Sequence, residues 1–287
     1  MFVPRKIREE KLRQILADDV GLGDVTAQTI IPPNLTVNAV VIAKAEGVVA
    51  GIEEVTILAE SLGLKVAAKV ADGAAIKNKQ VLMQITGDAQ TLLSAERTML
   101  NLVSRMSGIA TATRTLTEKL TKAGAKTRIA ATRKSAPGLL YFDKRAVAIG
   151  GGDPHRLHLD DMILIKDNHV AIVGSPEVAV KKAKANASFT KKIEVEVTKV
   201  SDVLKVAEAG TDAILLDNFS VEQVKEATDA LAKAGFLGKI VLEASGGIKA
   251  EDIIDYAAAK VDVISLGQLT HSVKALDISL EIVGKEG

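Results

Sequence analysis

Short β-type runs alternate with amphipathic helical stretches through the second half of the sequence, and this alternation limits the fold more than any other feature. The β-type runs cover residues 128–132, 162–165, 193–197, 213–216, 239–242 and 261–266. The helical stretches between the later runs cover residues 178–187, 200–209, 221–234 and 250–258. Strands joined by helical crossovers form a parallel sheet. We therefore predict an α/β chain whose second half is an irregular, incomplete TIM-like barrel of about six parallel strands.

The first hundred residues have a different pattern, which predicts a smaller mixed α/β domain. Helical spacing covers residues 4–20 and 52–62, and β-type runs occupy 37–50, 65–70 and 81–86. A long helical pattern then extends from residue 91 to 122, and we expect Ser107-Gly108 to weaken or break it. The sequence thus predicts two domains, 1–110 and 111–272, with a tail, 273–287, that packs back on the first.

Each predicted strand of the barrel ends in polar residues or glycine. These are Thr132-Arg133-Lys134, Lys166-Asp167-Asn168, Glu194 with Glu196, Asp217-Asn218, Glu243 with Ser245-Gly246-Gly247, and Gly267. In parallel α/β barrels the functional groups gather at the carboxyl ends of the strands. One polar residue after a buried strand is usually only the first solvated residue, but six strands in succession favour a binding site.

The segment 150–169, GGGDPHRLHLDDMILIKDNH, adds a glycine-rich turn and further charges to this predicted mouth. With the strand ends it supplies five basic groups: Arg133, Lys134, His155, Arg156 and Lys166. A positive cluster of this density needs an anion, and arginine binds carboxylate or phosphate through two parallel hydrogen bonds. The sequence therefore predicts an anionic ligand.

Acids and glycines accompany the basic groups. Glu196 and Asp217 suit a Mg²⁺ ion that keeps several waters and a substrate phosphate. Ser245-Gly246-Gly247 and Gly267 offer bare backbone N–H groups for a phosphate. A Ser-Gly-Gly sequence by itself usually forms only a turn. It indicates phosphate binding here because it lies at the end of a predicted barrel strand.

Composition removes several classes of function. With 37 basic and 36 acidic residues, a net charge of +1 and 2% aromatics, nothing favours a nucleic acid or an anionic membrane as partner. The absence of cysteine excludes disulfides, thiolate zinc sites and a cysteine nucleophile. We find no signal peptide and no membrane-spanning window, and we expect a cytoplasmic protein.

Three other interpretations remain open from the residues alone. His155, His158, Asp160, Asp161 and His169 are candidate ligands of a metal-dependent barrel hydrolase, although Arg156 would repel the cation. Residues 72–79 faintly resemble a lipoyl- or biotinyl-type hairpin. A non-enzymatic sensor of sugar phosphates or NAD metabolites would use the same barrel.

Motifs in a fixed order resemble the quinolinate phosphoribosyltransferase family (carboxylating nicotinate-nucleotide pyrophosphorylases) over nearly the whole chain. They are the Gly-Asp-x-Thr turn at 23–26, AERTMLNLVSRMSGIAT at 95–111, TRKSAPGL at 132–139, the segment 150–169, IEVEV, ILLDN, EASGGI and LGQLTHS. The resemblance implies an N-terminal α/β sandwich-like domain and an incomplete barrel. It also implies a glycosyltransferase of NAD biosynthesis that joins quinolinate to phosphoribosyl pyrophosphate, releasing pyrophosphate and CO₂ to give nicotinate mononucleotide.

The resemblance also implies roles for individual residues. Thr132, Arg133, Lys134, His155, Arg156 and Lys166 match quinolinate-binding positions, and Ser245, Gly246, Gly247 and Gly267 match phosphate-binding backbone. Glu196 and Asp217 match acids near the ribose and the Mg²⁺–pyrophosphate, and with Lys134 they are the implied catalytic residues. Arg97 matches an arginine that enters the neighbouring subunit's site, which implies a homodimer or larger assembly.

Three positions depart from the family pattern. Many members have Asp at the position of Ala131, Thr at Ser135 and Arg at Leu140. The missing arginine makes exclusive use of quinolinate less certain, so a related reaction on nicotinate or another ring acid stays open.

Overall fold

The computed structural model describes residues 3–286, which form two compact units. The first unit contains residues 3–112, 145–151 and 272–286 of the described chain. The second unit contains Thr113–Lys144 and Gly152–His271. Among residues 3–286, no helix is both long and apolar enough to cross a membrane.

The first unit is built on a four-stranded antiparallel sheet in the order β12-β1-β5-β3. Its strands are β1 (Thr36–Ala43), β3 (Lys65–Ala68), β5 (Val81–Asp88) and β12 (Ile278–Glu286), and β2 (Gly47–Val48) pairs separately with β4 (Ala75–Ile76). Its helices include α1 (Arg5–Val20), α2 (Val25–Ile30) and α3 (Ile52–Ser61). The pairing of β12 with β1 places the C-terminal strand in this sheet.

The helix α4 (Ala89–Lys122) is continuous over 34 residues, so the predicted break at Ser107-Gly108 is wrong. A glycine costs about 1 kcal/mol in a helix interior, but tertiary contacts hold this site. A Cβ on Gly108 would meet the carbonyl oxygen of Lys274 and lie 3.0 Å from the Ala275 Cα. Ser107 Oγ accepts the backbone N–H of Ala50 at 3.0 Å. Close backbone packing therefore offsets the low helix propensity.

The second unit contains a six-stranded parallel sheet in the order β6-β11-β10-β9-β8-β7. The strands are β6 (Arg128–Ala130), β7 (Ile163–Ile165), β8 (Ile193–Val197), β9 (Ala213–Asp217), β10 (Val241–Ser245) and β11 (Val263–Ser265). The helices are α5 (Leu140–Ile149, shared with the first unit), α6 (Asp167–Val173), α7 (Pro176–Asn186), α8 (Val200–Glu208), α9 (Val221–Lys233), α10 (Ile253–Ala258) and α11 (Gln268–His271). Because β6 and β7 are the two edges of the sheet, the barrel is incomplete, and the predicted fold class is confirmed.

Strand β10 begins two residues later than predicted. Lys239 donates its backbone N–H to Phe236 O at 2.9 Å, which keeps the apolar residues before Val241 in a turn. The strand also ends later than predicted and includes Glu243 and Ser245, which the sequence pattern places beyond its end.

Side chains alternate across the barrel strands, as the pleat requires. One set packs into the apolar core of the second unit and includes Val195, Ile214, Leu216, Leu242, Ala244 and Ile264. The intervening positions carry Glu194, Glu196, Leu215, Asp217, Glu243, Ser245 and Ser265. One face of the sheet thus supplies stability and the opposite face supplies polar groups.

Candidate active site

A cavity of about 320 Å³ lies at the polar face of the barrel sheet. Nine of the predicted site residues line it: Thr132, Arg133, Lys134, His155, Arg156, Lys166, Glu196, Asp217 and Ser245. The other lining residues are Ala131, Leu164, Leu215, Glu243 and Ser265. The chain therefore brings its basic cluster and its two predicted acids into one cavity.

A second cavity, of about 240 Å³, is lined by Gly246, Gly247 and Gly267 together with Lys249 and His271. A Cβ on Gly246 would lie 2.7 Å from the backbone nitrogen of Asn218, so only glycine fits here, and its φ of +96° also favours glycine. We call the first cavity the acid cavity and this one the glycine cavity. Four residues line both: Thr132, Lys134, Ser245 and Ser265.

The loop after β6 is held by its own hydrogen bonds. Thr132 Oγ1 accepts the backbone N–H of Lys134 at 3.1 Å, and Thr270 Oγ1 donates to the carbonyl of Lys134 at 2.6 Å. Ser135, at one of the departures from the family pattern, is hydrogen-bonded through its hydroxyl to the Asp143 carboxylate at 2.5 Å. These contacts fix the backbone from which Arg133 and Lys134 project.

The basic groups of the acid cavity repel one another. Burial and then the charge of Arg133 lower the pKa of Arg156. The Arg156 guanidinium donates a long hydrogen bond from Nη1 to Met162 O at 3.4 Å. An anion in the cavity would relieve this repulsion, because charge-assisted hydrogen bonds are the stronger ones.

His155 is held from both sides of its ring. Its Nδ1 accepts the backbone N–H of Arg156 at 2.7 Å, so the ring proton lies on Nε2, which is 3.1 Å from a Glu243 oxygen and 3.5 Å from a Glu194 oxygen. Burial opposes a charged ring, but the hydrogen bonds and charges of these two buried glutamates outweigh it and raise the pKa of His155 to about 9. With a pKa of about 9 the ring also takes up a proton on Nδ1 near neutral pH, which displaces the Arg156 contact, and in both protonation states Nε2 keeps its proton toward the two glutamates.

The hydrolase interpretation is not supported by this geometry. Within residues 3–286, His155, Glu194 and Glu243 are the one set of three or more possible metal ligands that lie together. The Nε2 proton removes the lone pair that a metal would need at His155. Of the other predicted ligands, Asp161 accepts the backbone N–H groups of Leu157 and His158, and His169 Nδ1 accepts that of Lys166.

The residue at the start of the predicted hairpin has a structural contact. Asp72 accepts the backbone N–H of Ile52 at the start of α3 at 2.9 Å and lies 3.5 Å from Arg145. It is therefore a structural contact of the first unit.

Glu196 and Asp217 form the acidic side of the acid cavity. Burial and then the charge of Asp217 raise the pKa of Glu196, and Lys166 and Lys134 partly oppose that rise. Asp217 accepts a hydrogen bond from its neighbour Asn218 at 2.7 Å. A carboxylate whose charge is disfavoured by burial and by a second carboxylate nearby suits a divalent cation with oxygen ligands.

The sequence patterns missed Lys144, whose side chain is fully buried. Its ammonium donates to the carbonyl of Pro154, the residue before His155. Burial, partly offset by Asp153 and Glu243, lowers the pKa of Lys144 to about 8. Lying between Asp143 and Arg145, it looks in sequence like an exposed helix charge, and no local signal identifies it.

Arg97 is exposed on α4 in the first unit and lines neither the acid cavity nor the glycine cavity.

Comparison with known proteins identifies the family. The model of the quinolinate phosphoribosyl transferase N-terminal domain matches residues 24–107, and that of the C-terminal domain matches residues 109–281. The probable nicotinate-nucleotide pyrophosphorylase (carboxylating) of Methanothermobacter thermautotrophicus is 44% identical over 273 residues, covering 95% of this chain and 98% of its own length. The nicotinate-nucleotide pyrophosphorylase (carboxylating) of Mycobacterium leprae is 39% identical, covering 95% and 96%.

Solved structures agree with the sequence relatives. The nicotinate-nucleotide pyrophosphorylase of Francisella tularensis superposes with a TM-score of 0.87 at 34% identity, covering 98% of both chains. That of Ehrlichia chaffeensis gives 0.88 at 34% identity, covering 99% of this chain and 100% of its own. The chain belongs to the quinolinate phosphoribosyl transferase family.

Proposed function

We propose that the protein is a carboxylating nicotinate-nucleotide pyrophosphorylase of NAD biosynthesis, which converts quinolinate and phosphoribosyl pyrophosphate to nicotinate mononucleotide, pyrophosphate and CO₂. The observation that carries this proposal is the acid cavity, where five basic residues face Glu196 and Asp217. The family relationship supports it independently.

Quinolinate carries two adjacent carboxylates on a pyridine ring and matches the basic side of the cavity. We assign its binding to Thr132, Arg133, Lys134, Arg156 and Lys166, with Arg97 from a second subunit. Each charge-assisted hydrogen bond to a carboxylate contributes about 1.5–3 kcal/mol. His155 directs its Nε2 proton to Glu243, so we assign it to shaping this side of the cavity.

The phosphoribosyl donor fits the acidic side and the glycine cavity. Ser245, Gly246, Gly247 and Gly267 would bind its 5-phosphate through backbone N–H groups. Glu196 and Asp217 would hold Mg²⁺, directly or through water, and the ion would neutralise charge on the departing pyrophosphate.

The residues then act mainly by orientation and electrostatics. The ring nitrogen forms a bond to the anomeric carbon as the bond from that carbon to the pyrophosphate oxygen breaks. The positive ring nitrogen next stabilises the electron pair left on the adjacent carbon when its carboxylate departs as CO₂, and that carbon takes up a proton. Lys134, which lines both cavities, is our candidate for a group near this carbon.

One assay tests the proposal. The protein is incubated with Mg²⁺, phosphoribosyl pyrophosphate and either quinolinate or nicotinate, and mononucleotide, pyrophosphate and CO₂ are measured. We expect all three products with quinolinate and none with nicotinate, which lacks one carboxylate. If nicotinate also gives mononucleotide, the protein catalyses the related reaction on nicotinate, which the leucine at position 140 in place of the family's arginine left open. If the substrates bind but no pyrophosphate is released, the protein is a sensor.

A further inference from the structure

Ser265, the last residue of β11, lies between the acid cavity and the glycine cavity and lines both. The residue is 3% exposed. Its hydroxyl has no hydrogen-bond partner in the part of the chain that the structure describes. Buried polar groups are normally paired, so a hydroxyl in this position is poised for a ligand.

The register of the sheet places Ser265 beside two residues of the proposed donor site. Ser245 pairs with Asp217, and Ala244 pairs with Ile264, so the next position along β11 lies level with Ser245. Ile264 packs into the apolar core, which leaves Ser265 on the polar face of the sheet. Asp217, Ser245 and Ser265 therefore occupy one level of neighbouring strands.

The groups assigned to the two cavities indicate which part of the phosphoribosyl donor lies between them. The acid cavity holds the groups assigned to quinolinate and to the pyrophosphate, and the glycine cavity holds those assigned to the 5-phosphate. In the donor, the sugar connects the 5-phosphate to the anomeric carbon. We propose that the Ser265 hydroxyl hydrogen-bonds the ribose of the phosphoribosyl donor and so positions its anomeric carbon. This assignment rests on the proposed function.

A second serine with a buried hydroxyl oxygen provides a matched control. Ser279 Oγ in the first unit is also buried without a hydrogen-bond partner among residues 3–286, but it lines neither of the two cavities described above. Replacing either serine by alanine removes an unpaired hydroxyl and leaves no partner group unsatisfied. Neither substitution should therefore lower the melting temperature.

The test measures binding rather than turnover. Titration calorimetry compares ribose 5-phosphate and inorganic phosphate on the wild type, Ser265→Ala and Ser279→Ala. Loss of one hydrogen bond predicts that Ser265→Ala binds ribose 5-phosphate about tenfold more weakly. Its affinity for inorganic phosphate should stay unchanged, and Ser279→Ala should match the wild type with both ligands. Ser265→Cys, which keeps the size and has a weak donor, should give an intermediate affinity.

Three results would overturn the assignment. Ribose 5-phosphate affinity in Ser265→Ala could equal that of the wild type, both ligands could weaken equally, or the melting temperature could fall together with binding. The second result would place the hydroxyl at the phosphate, and the third would make it structural. The mononucleotide assay on the wild type is separate, so a protein that binds ribose 5-phosphate through Ser265 without making product would refute the proposed function alone.

Discussion

Lys144 shows how one buried residue connects the helix α5 to the segment 150–169, which carries His155 and Arg156. Its ammonium donates to the carbonyl of Pro154, and Asp153, Glu243, Arg133 and Arg156 all influence its charge. Because burial lowers its pKa to about 8, the folded protein loses this proton before the unfolded chain does. The charged lysine therefore carries a cost in the folded state that disappears at alkaline pH.

This cost gives a prediction for Lys144→Met. Between about pH 8 and pH 10.4, Lys144 is mostly neutral in the folded protein but still protonated in the unfolded chain. The unfolding free energy of the wild type should therefore rise with pH in this range, relative to that of the variant, by up to about 1.4 kcal/mol per pH unit. Below pH 8 the difference should be constant. Urea unfolding from pH 7 to pH 10 measures it.

The control for this experiment is Lys182→Met on α7, which replaces an exposed lysine and removes no buried charge. If Lys144→Met behaves in the same way as this control, Lys144 is not buried as described.

At the scale of elements, α4 stays continuous because close packing around Gly108 offsets the low helix propensity of glycine. Propensity alone predicts that Gly108→Ala stabilises the protein by about 1 kcal/mol. The structure predicts the opposite sign, a loss of about 1–3 kcal/mol, because the added methyl group meets the backbone of Lys274 and Ala275. Chemical denaturation measures the change.

Asn101→Ala, at an exposed position of the same helix, is the matched control and should be slightly stabilising. A stabilised Gly108→Ala variant would show that the close approach at residues 274–275 is absent.

The sequence predicts the repetitive part of this structure and misses the parts that depend on distant contacts. Barrel strands and their charged ends have a local signal, since burial and the pleat act on neighbouring residues, and so Arg156, Glu196 and Asp217 were found. The helices α5 and α6 were not predicted, and the burial of Lys144 depends on the packing of the folded chain around it, which no local pattern encodes. Ser265 was missed because a serine that ends a strand has no special pattern.

At the scale of the whole molecule, the proposed site needs two copies of the chain. Arg97 and Arg156 would then come from different subunits, so an Arg97→Ala chain and an Arg156→Ala chain, each inactive alone, should form mixed dimers with one intact site. Random mixing makes half of the dimers mixed, which predicts about a quarter of the wild-type activity. Co-expression followed by the mononucleotide assay measures it.

Co-expression of Arg156→Ala with Asp217→Asn is the control, because both residues line the same cavity of one chain and no intact site can form. Activity in the control that equals the activity of the first mixture would argue against a site shared between subunits.

The alternation along the barrel strands has a consequence for how such proteins diversify. Val195, Leu216 and Ile264 pack into the apolar core, while their immediate neighbours Glu196, Asp217 and Ser265 line the acid cavity. Substitution at every second position can therefore exchange one ligand chemistry for another while the scaffold keeps its folding energy. Insertion of a single residue in any of these strands would reverse both faces at once, so new specificities should arise in this architecture by replacement and not by changes in strand length.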